Sequence, residues 1–165
     1  MSKMRFVLAL SMVGVLAACS SAKTAGNASN EPAISTQHQP VAQAAVDPLN
    51  DPNSPLAKRS VYFGFDQYMV KSDYQPLLQQ HAQYLMQHPA RHVLIQGNTD
   101  ERGTSEYNLA LGQKRADAVR RALITLGVSD AQLEAVSLGK EKPVATGHDE
   151  ASWSQNRRAD LNYRQ

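Results

Sequence analysis

The residues best placed to do chemistry lie in one stretch, residues 96–121, which reads QGNTDERGTSEYNLALGQKRADAVRR. The apolar run Val93-Leu94-Ile95 leads to Gly97, and the polar loop Asn98-Thr99-Asp100-Glu101-Arg102-Gly103 follows before helical spacing takes over. Loops that leave a strand C-terminus for a helix start are where α/β architectures place ligands. On the helix, Asn108, Leu111 and Arg115 form a stripe at offsets of three and four, roughly 75° round from the core stripe. Arg115 can therefore line a groove without joining the core. The other reading of Asp100 and Arg115 is a surface salt bridge, worth under about 1 kcal/mol.

Catalytic patterns are missing. No GxSxG elbow, P-loop or GxGxxG after a strand occurs, and no nucleophile or acid–base pair is ordered by spacing, so the chain reads as no enzyme. The five histidines (38, 81, 88, 92, 148) are scattered without ligand pairing, and a single cysteine, Cys19, allows neither a disulfide framework nor a Cys-rich zinc site. Neither a metal nor a cofactor is expected. Seventeen Lys+Arg stand against fifteen Asp+Glu, too even a balance for a chain that lives on nucleic-acid phosphates.

The elements that must position the loop are those of a small domain. Val61, Phe63 and Phe65 alternate with Tyr62 and Gly64, predicting a strand. Leu77, Leu78, His81, Ala82, Tyr84 and Leu85 are spaced for one helix face; Ser72 or Asp73 is a candidate cap, with Pro76 favouring Asp73, and His88-Pro89 is the stop. A second strand is predicted over 92–96. Leu109, Gly112, Ala116, Val119, Leu123 and Leu126 give a long helix ended by Gly127. Ala135–Leu138 and the alternation of Ala159, Leu161 and Tyr163 give two more strands. The order β-α-β-α-β-β predicts an α+β fold with helices on one face of a small mixed sheet.

Ahead of this lies an address and a strap. Lys3 and Arg5 precede an apolar run, Phe6 to Ala18, too short for a stable span of about twenty residues but of signal-peptide dimensions. It ends in Leu16-Ala17-Ala18-Cys19, which resembles a bacterial lipobox; residues 1–18 are therefore read as a signal peptide and Cys19 as the acylated (palmitate-bearing) residue. The alternative is an ordinary signal peptide that happens to hold the chain's only cysteine. In lipoproteins of this kind an Asp after the cysteine favours the inner membrane; Ser20 stands there, implying the periplasmic face of the outer membrane. Residues 20–56 hold five of the eight prolines and no aromatic, so a flexible linker with a coil span of about 33 Å is predicted, with the domain at 57–165.

Four segments together, VYFGFD (61–66), GNTDERGTSEYN (97–108), LGQKRADAV (111–119) and GKEKPVATGHDEASWSQNRRA (139–159), closely resemble the peptidoglycan-associated lipoproteins of the Tol–Pal system, within the wider OmpA C-terminal-domain-like family. The resemblance covers essentially all of 60–164. It implies an OmpA-like domain that binds peptidoglycan through the meso-diaminopimelate of the stem peptide. It assigns Asp100 to the ligand's ammonium and Arg115, fifteen residues on, to its carboxylate, a planar bidentate match that Lys lacks. It places Phe65 and Asp66 at the pocket's wall and floor and Leu111 as an apolar contact, with groups near Asn98 and Thr99 as further donors and acceptors and Asn108 on the same stripe.

Structural alternatives stand beside these: Phe65 as core, Asp66 as a turn cap, Arg157 and Arg158 as ties for the last strand, and Glu101 and Arg102 as solvated loop charges or partner contacts. Many relatives carry His where Asn98 stands, so no imidazole is required there. The function implied is a non-enzymatic tether between outer membrane and wall that supports envelope integrity and constriction at division. Its implied partners are TolB, TolA and outer-membrane proteins of OmpA type. The alternative is a generic OmpA-like peptidoglycan-binding lipoprotein without Tol partners.

Overall fold

The computed structural model describes residues 47–164. The signal segment, Cys19 and the linker up to residue 46 lie outside the described residues. The chain runs β1 (Ser60–Tyr62), α1 (Gln75–Gln87), β2 (His92–Asn98), α2 (Ser105–Thr125), β3 (Leu133–Gly139), α3 (Glu150–Asn156) and β4 (Arg158–Arg164). The sheet order is β1-β4-β2-β3, with β2 and β3 parallel and the other pairs antiparallel. The mixed sheet is as expected. One face carries Val61, Val93, Ile95, Ala159 and Leu161 into a single core with Leu78, Ala82 and Leu85 of α1 and Ala116, Val119 and Leu123 of α2.

The element order differs from expectation by one helix. Residues 150–156 carry no apolar repeat and so give no periodic signal. They are helical because Asp149 caps them, its carboxylate accepting from the Ser152 N–H at 2.8 Å. The order is therefore β-α-β-α-β-α-β. β1 also stops short of Phe65: the Phe63 N–H makes a last in-register bond to the Arg157 carbonyl at 2.9 Å, the Arg157 N–H closes on Trp153 instead of pairing back, and the chain then bends through a Gly64–Gln67 turn. Ser72 to Tyr74 form a 3-10 turn rather than a cap, so α1 begins at Gln75 with Tyr74 at its cap and Pro76 in its first turn. β2 and β3 are each longer than predicted, β2 running to Asn98 and β3 starting at Leu133.

Packed chain also begins earlier than the expected domain start at 57. Leu49 and Leu56 are buried against Tyr84 in a small cluster separate from the main core, with Tyr163 packed beside it. Asp47 accepts from Tyr84 Oη at 3.1 Å and pairs with Arg91 at 2.6 Å. Residues 47–56, expected as the end of the linker, thus belong to the domain.

Two glycines let α2 lie directly on the sheet. A Cβ on Gly97 would sit 1.8 Å from the Gly112 carbonyl oxygen, and one on Gly112 would sit 2.3 Å from Ser137 Oγ. This close approach brings Arg115, one turn further along α2, under the end of β2. The buried arc of α2 is wider than the predicted stripe at its N-terminal half: Asn108, Leu111 and Arg115 are buried, whereas Leu109, expected in the core, is exposed. The cause is the segment after β1, which lies over that side of the helix.

Candidate functional site

The site forms where β2 ends, the Asn98–Thr104 loop begins and the β1–α1 segment crosses α2. A narrow cleft is lined by Phe65, Asp66, Thr99, Asp100, Arg102, Tyr107, Asn108, Leu111 and Arg115. Thr104 starts α2 by accepting the Tyr107 N–H on its hydroxyl at 3.2 Å, which orients the first turn toward the cleft. Asn108 holds the loop from below, its amide donating to the Arg102 carbonyl at 2.8 Å.

Arg115 is fully buried and, among the described residues, has no acidic partner within salt-bridge distance. Its Nε donates to the Gln67 carbonyl (2.8 Å), Nη1 to that of Asn98 (2.8 Å) and Nη2 to that of Gly64 (3.1 Å). These bonds draw the β1–α1 segment across the helix and explain why Arg115 is core as well as lining. A guanidinium has five N–H donors, so two remain for a ligand. Burial, then repulsion from Arg157, pulls its pKa down to about 10, which leaves it charged at neutral pH.

Asp100 does not pair with Arg115. Its Oδ1 accepts from the Arg102 backbone N–H (3.2 Å) and Nε (3.1 Å), and its Oδ2 from Arg102 Nη2 (2.6 Å) and Arg157 Nη1 (3.3 Å). Burial alone would raise the carboxyl pKa; the bonds from Arg102 and Arg157 outweigh it and hold the group below its ordinary value. Asp100 and Arg115 therefore face one cleft as separate charges, and the surface-salt-bridge reading does not describe them.

Arg102 closes the arrangement. Its guanidinium lies 4.3 Å from the Phe65 ring centre and 4.0 Å from that of Trp153, stacked between two aromatics as well as bonded to Asp100. Phe65 is 63% exposed and so is a wall of the cleft, not core. Asp66 sits at φ 54°, a left-handed conformation that Asp tolerates better than most side chains, and accepts a short hydrogen bond from Tyr107 Oη.

The sequence model of the OmpA family matches residues 62–157. The chain belongs to the OmpA family. It is 55% identical over 104 residues to the peptidoglycan-associated lipoprotein of Pasteurella multocida, an alignment taking in 63% of this chain and 69% of that one. The crystal structure of the peptidoglycan-associated lipoprotein from Burkholderia pseudomallei matches with a TM-score of 0.71 and 83% identity, over 72% of this chain and all 100% of that one. The C-terminal domain of Helicobacter pylori MotB, at 22% identity and a TM-score of 0.61 over 66% of this chain and 85% of that one, shares the fold.

Within this OmpA-family fold, seven of the eight sequence-named binding residues line the cleft together. Asn98 is the exception: its carbonyl is committed to Arg115, and its buried side chain donates to Gln96 O at 3.0 Å and to Asp160 at 3.4 Å. Thr99 lines the cleft, but its N–H is taken by the Gly139 carbonyl and its hydroxyl donates to Asp100 O. Reasoning from sequence missed Tyr107, although it sits three residues after the Thr104 cap. It also left Arg102 and Arg157 as loop and strand charges. Both bond Asp100. Glu101 likewise is not free, accepting from Trp153 Nε1 at 2.8 Å and contacting His148 Nδ1 at 2.7 Å. Lipidation at Cys19 lies outside the described residues.

Proposed function

We propose that the chain is a non-enzymatic outer-membrane lipoprotein, anchored through acylated Cys19, whose domain grips peptidoglycan by the meso-diaminopimelate of its stem peptide. The observation that carries this reading is the pair of buried, opposite, unlinked charges, Asp100 and Arg115, facing one cleft. The free end of diaminopimelate is a zwitterion, and two fixed charges of opposite sign are its complement. Arg115 offers its two remaining N–H groups to the carboxylate. Asp100 offers no empty lone pair, so the ammonium takes the place of one guanidinium. Arg102, whose side chain is 34% exposed, is the one able to leave. Phe65 and Leu111 supply apolar walls to the ligand's stem. Names of relatives such as the Pasteurella protein support wall association. Action within the Tol–Pal system through TolB and TolA, contact with OmpA-type outer-membrane proteins, and support of constriction at division belong to the same proposal.

Each charge-assisted bond contributes about 1.5–3 kcal/mol net. Co-sedimentation of the full chain with purified diaminopimelate-type peptidoglycan tests the reading. Wild type is expected to pellet, and Asp100→Ala and Arg115→Lys to stay in solution while remaining folded by circular dichroism. Equal pelleting of all three proteins, or equal binding to lysine-type peptidoglycan, overturns it. A TolB pull-down separates the Tol–Pal part from the generic alternative.

A further inference from the structure

Arg157 sits behind Asp100, outside the lining of the cleft, yet it is 5% exposed and engages three elements at once. Its Nε donates to the Phe63 carbonyl at 3.2 Å, its Nη1 to Asp100 Oδ2 at 3.3 Å, and its Nη2 bonds Glu150 in the first turn of α3. Its backbone is pinned as well: the N–H closes α3 on the Trp153 carbonyl at 3.1 Å, and the carbonyl accepts the Phe63 N–H. Three differently directed acceptors fix the plane of the guanidinium. Arg102, the other partner of Asp100, is held by one carboxylate, a distant Glu150 at 3.9 Å and two aromatic faces.

We propose that Arg157 is a positioning residue for ligand binding, the fixed partner that keeps the Asp100 carboxylate aimed into the cleft while the ligand's ammonium takes the bonds now made by Arg102. The proposal rests on the peptide-binding reading above. A carboxylate stripped of both guanidiniums would keep only the Arg102 backbone N–H on Oδ1, and a cation arriving in water would pay to orient the loosened Oδ2; one rigid donor behind Oδ2 removes that cost. It also gives α3 a purpose in the site. Asp149 caps the helix, Glu150 follows, and Arg157 at its other end closes the link to Asp100.

The test reads Asp100 directly. In the full chain, carboxyl-carbon NMR follows the Asp100 titration, and the tripeptide L-Ala-D-Glu-meso-diaminopimelate is titrated in parallel. The charged groups around Asp100 are Arg102 and Arg157 in contact, with Glu101, Arg115 and Glu150 nearby. Arg157→Gln is expected to move the Asp100 titration to higher pH and to weaken tripeptide binding about tenfold. Arg157→Lys is expected to restore part of both. Weakened binding with an unmoved Asp100 titration would assign Arg157 a purely structural role and overturn the proposal, as would no change in either. If Arg157→Gln does not fold, Glu150→Gln unties the exposed end of the link and is expected to shift both readouts in the same direction by less; no shift overturns it. A wild type that ignores the tripeptide while Arg157→Gln still moves Asp100 would overturn the reading of the site, and leave the link itself standing.

Discussion

The two ends of β2 use the same chemistry for different purposes. At its C-terminal end, Asp100 is bonded by Arg102 and Arg157; at its N-terminal end, Asp47 is bonded by Arg91 and Tyr84. The Asp100–Arg157 pair has only 6% of either side chain exposed, whereas Asp47 and Arg91 retain 25% and 31%. Around Asp100 the pair joins β1, the β2–α2 loop and α3 beside a cleft. Around Asp47 it closes a short strap onto α1, over a satellite cluster that meets the main core through Tyr163. An acid–arginine pair is therefore not in itself a sign of a site. What distinguishes the site is a second, unlinked charge, Arg115, facing the same space. Seven residues of strand put about 20 Å between the two ends, so each can be perturbed alone.

The largest effect should come from breaking the contact that carries Arg115 to the site. Gly97→Val places side-chain atoms where the Gly112 carbonyl stands and should cost more than about 3 kcal/mol, read as loss of the cooperative thermal transition near its wild-type midpoint. Next, Asp100→Ala removes the buried one of the two carboxylates on Arg157 and leaves only the exposed Glu150. Breaking such a pair costs about 3–5 kcal/mol, and wall binding should vanish with it. Leu56→Ala, at the strap end, should cost about 2 kcal/mol at most and leave peptide affinity unchanged, because its cluster is peripheral. Urea unfolding and sedimentation together check both substitutions.

Acid should separate the ends by pH rather than by mutation. His81 lies buried under the strap, with Nε2 on the Lys58 carbonyl at 2.8 Å and Nδ1 on Tyr163 Oη at 2.7 Å. Burial, reinforced by Arg59, pushes its pKa below the ordinary 6.5. The undocked state then binds a proton more readily than the docked one, so the strap end loses stability as pH falls below 6.5. Asp100 is also depressed, but from 3.8, so its contribution is complete at pH 5 and lost only in stronger acid. Hydrogen exchange at the amides of Leu56 and Ala57 should speed up between pH 7 and 5 after correction for intrinsic rates, while Arg102 stays protected. The smallest effect is reserved for Asp47→Asn, which should alter exchange of the strap amides alone and leave the main unfolding transition where it is.

Much of the fold was legible because its elements carry strong periods. α2 shows the three-and-four spacing from Leu109 to Leu126, and the final strand alternates cleanly. α3 was not legible, since seven residues held by a cap leave no period to read. The turn that exposes Phe65 was hidden by an alternation that continues three residues beyond the strand. In the site, Asp100, Arg115 and Leu111 stood out by type and spacing. Arg157 did not, because its partner is fifty-seven residues away and nothing in the local sequence records that distance.

The sequence by itself determined most of the strands, the two long helices and which charged residue types reach the loop and the helix stripe, because hydrophobic period and residue type act locally. Only the tertiary structure decided that Asp100 and Arg115 stay apart. Three backbone carbonyls from distant segments claim Arg115, and two other arginines claim Asp100; a charge inside a fold takes the partners that packing brings to it.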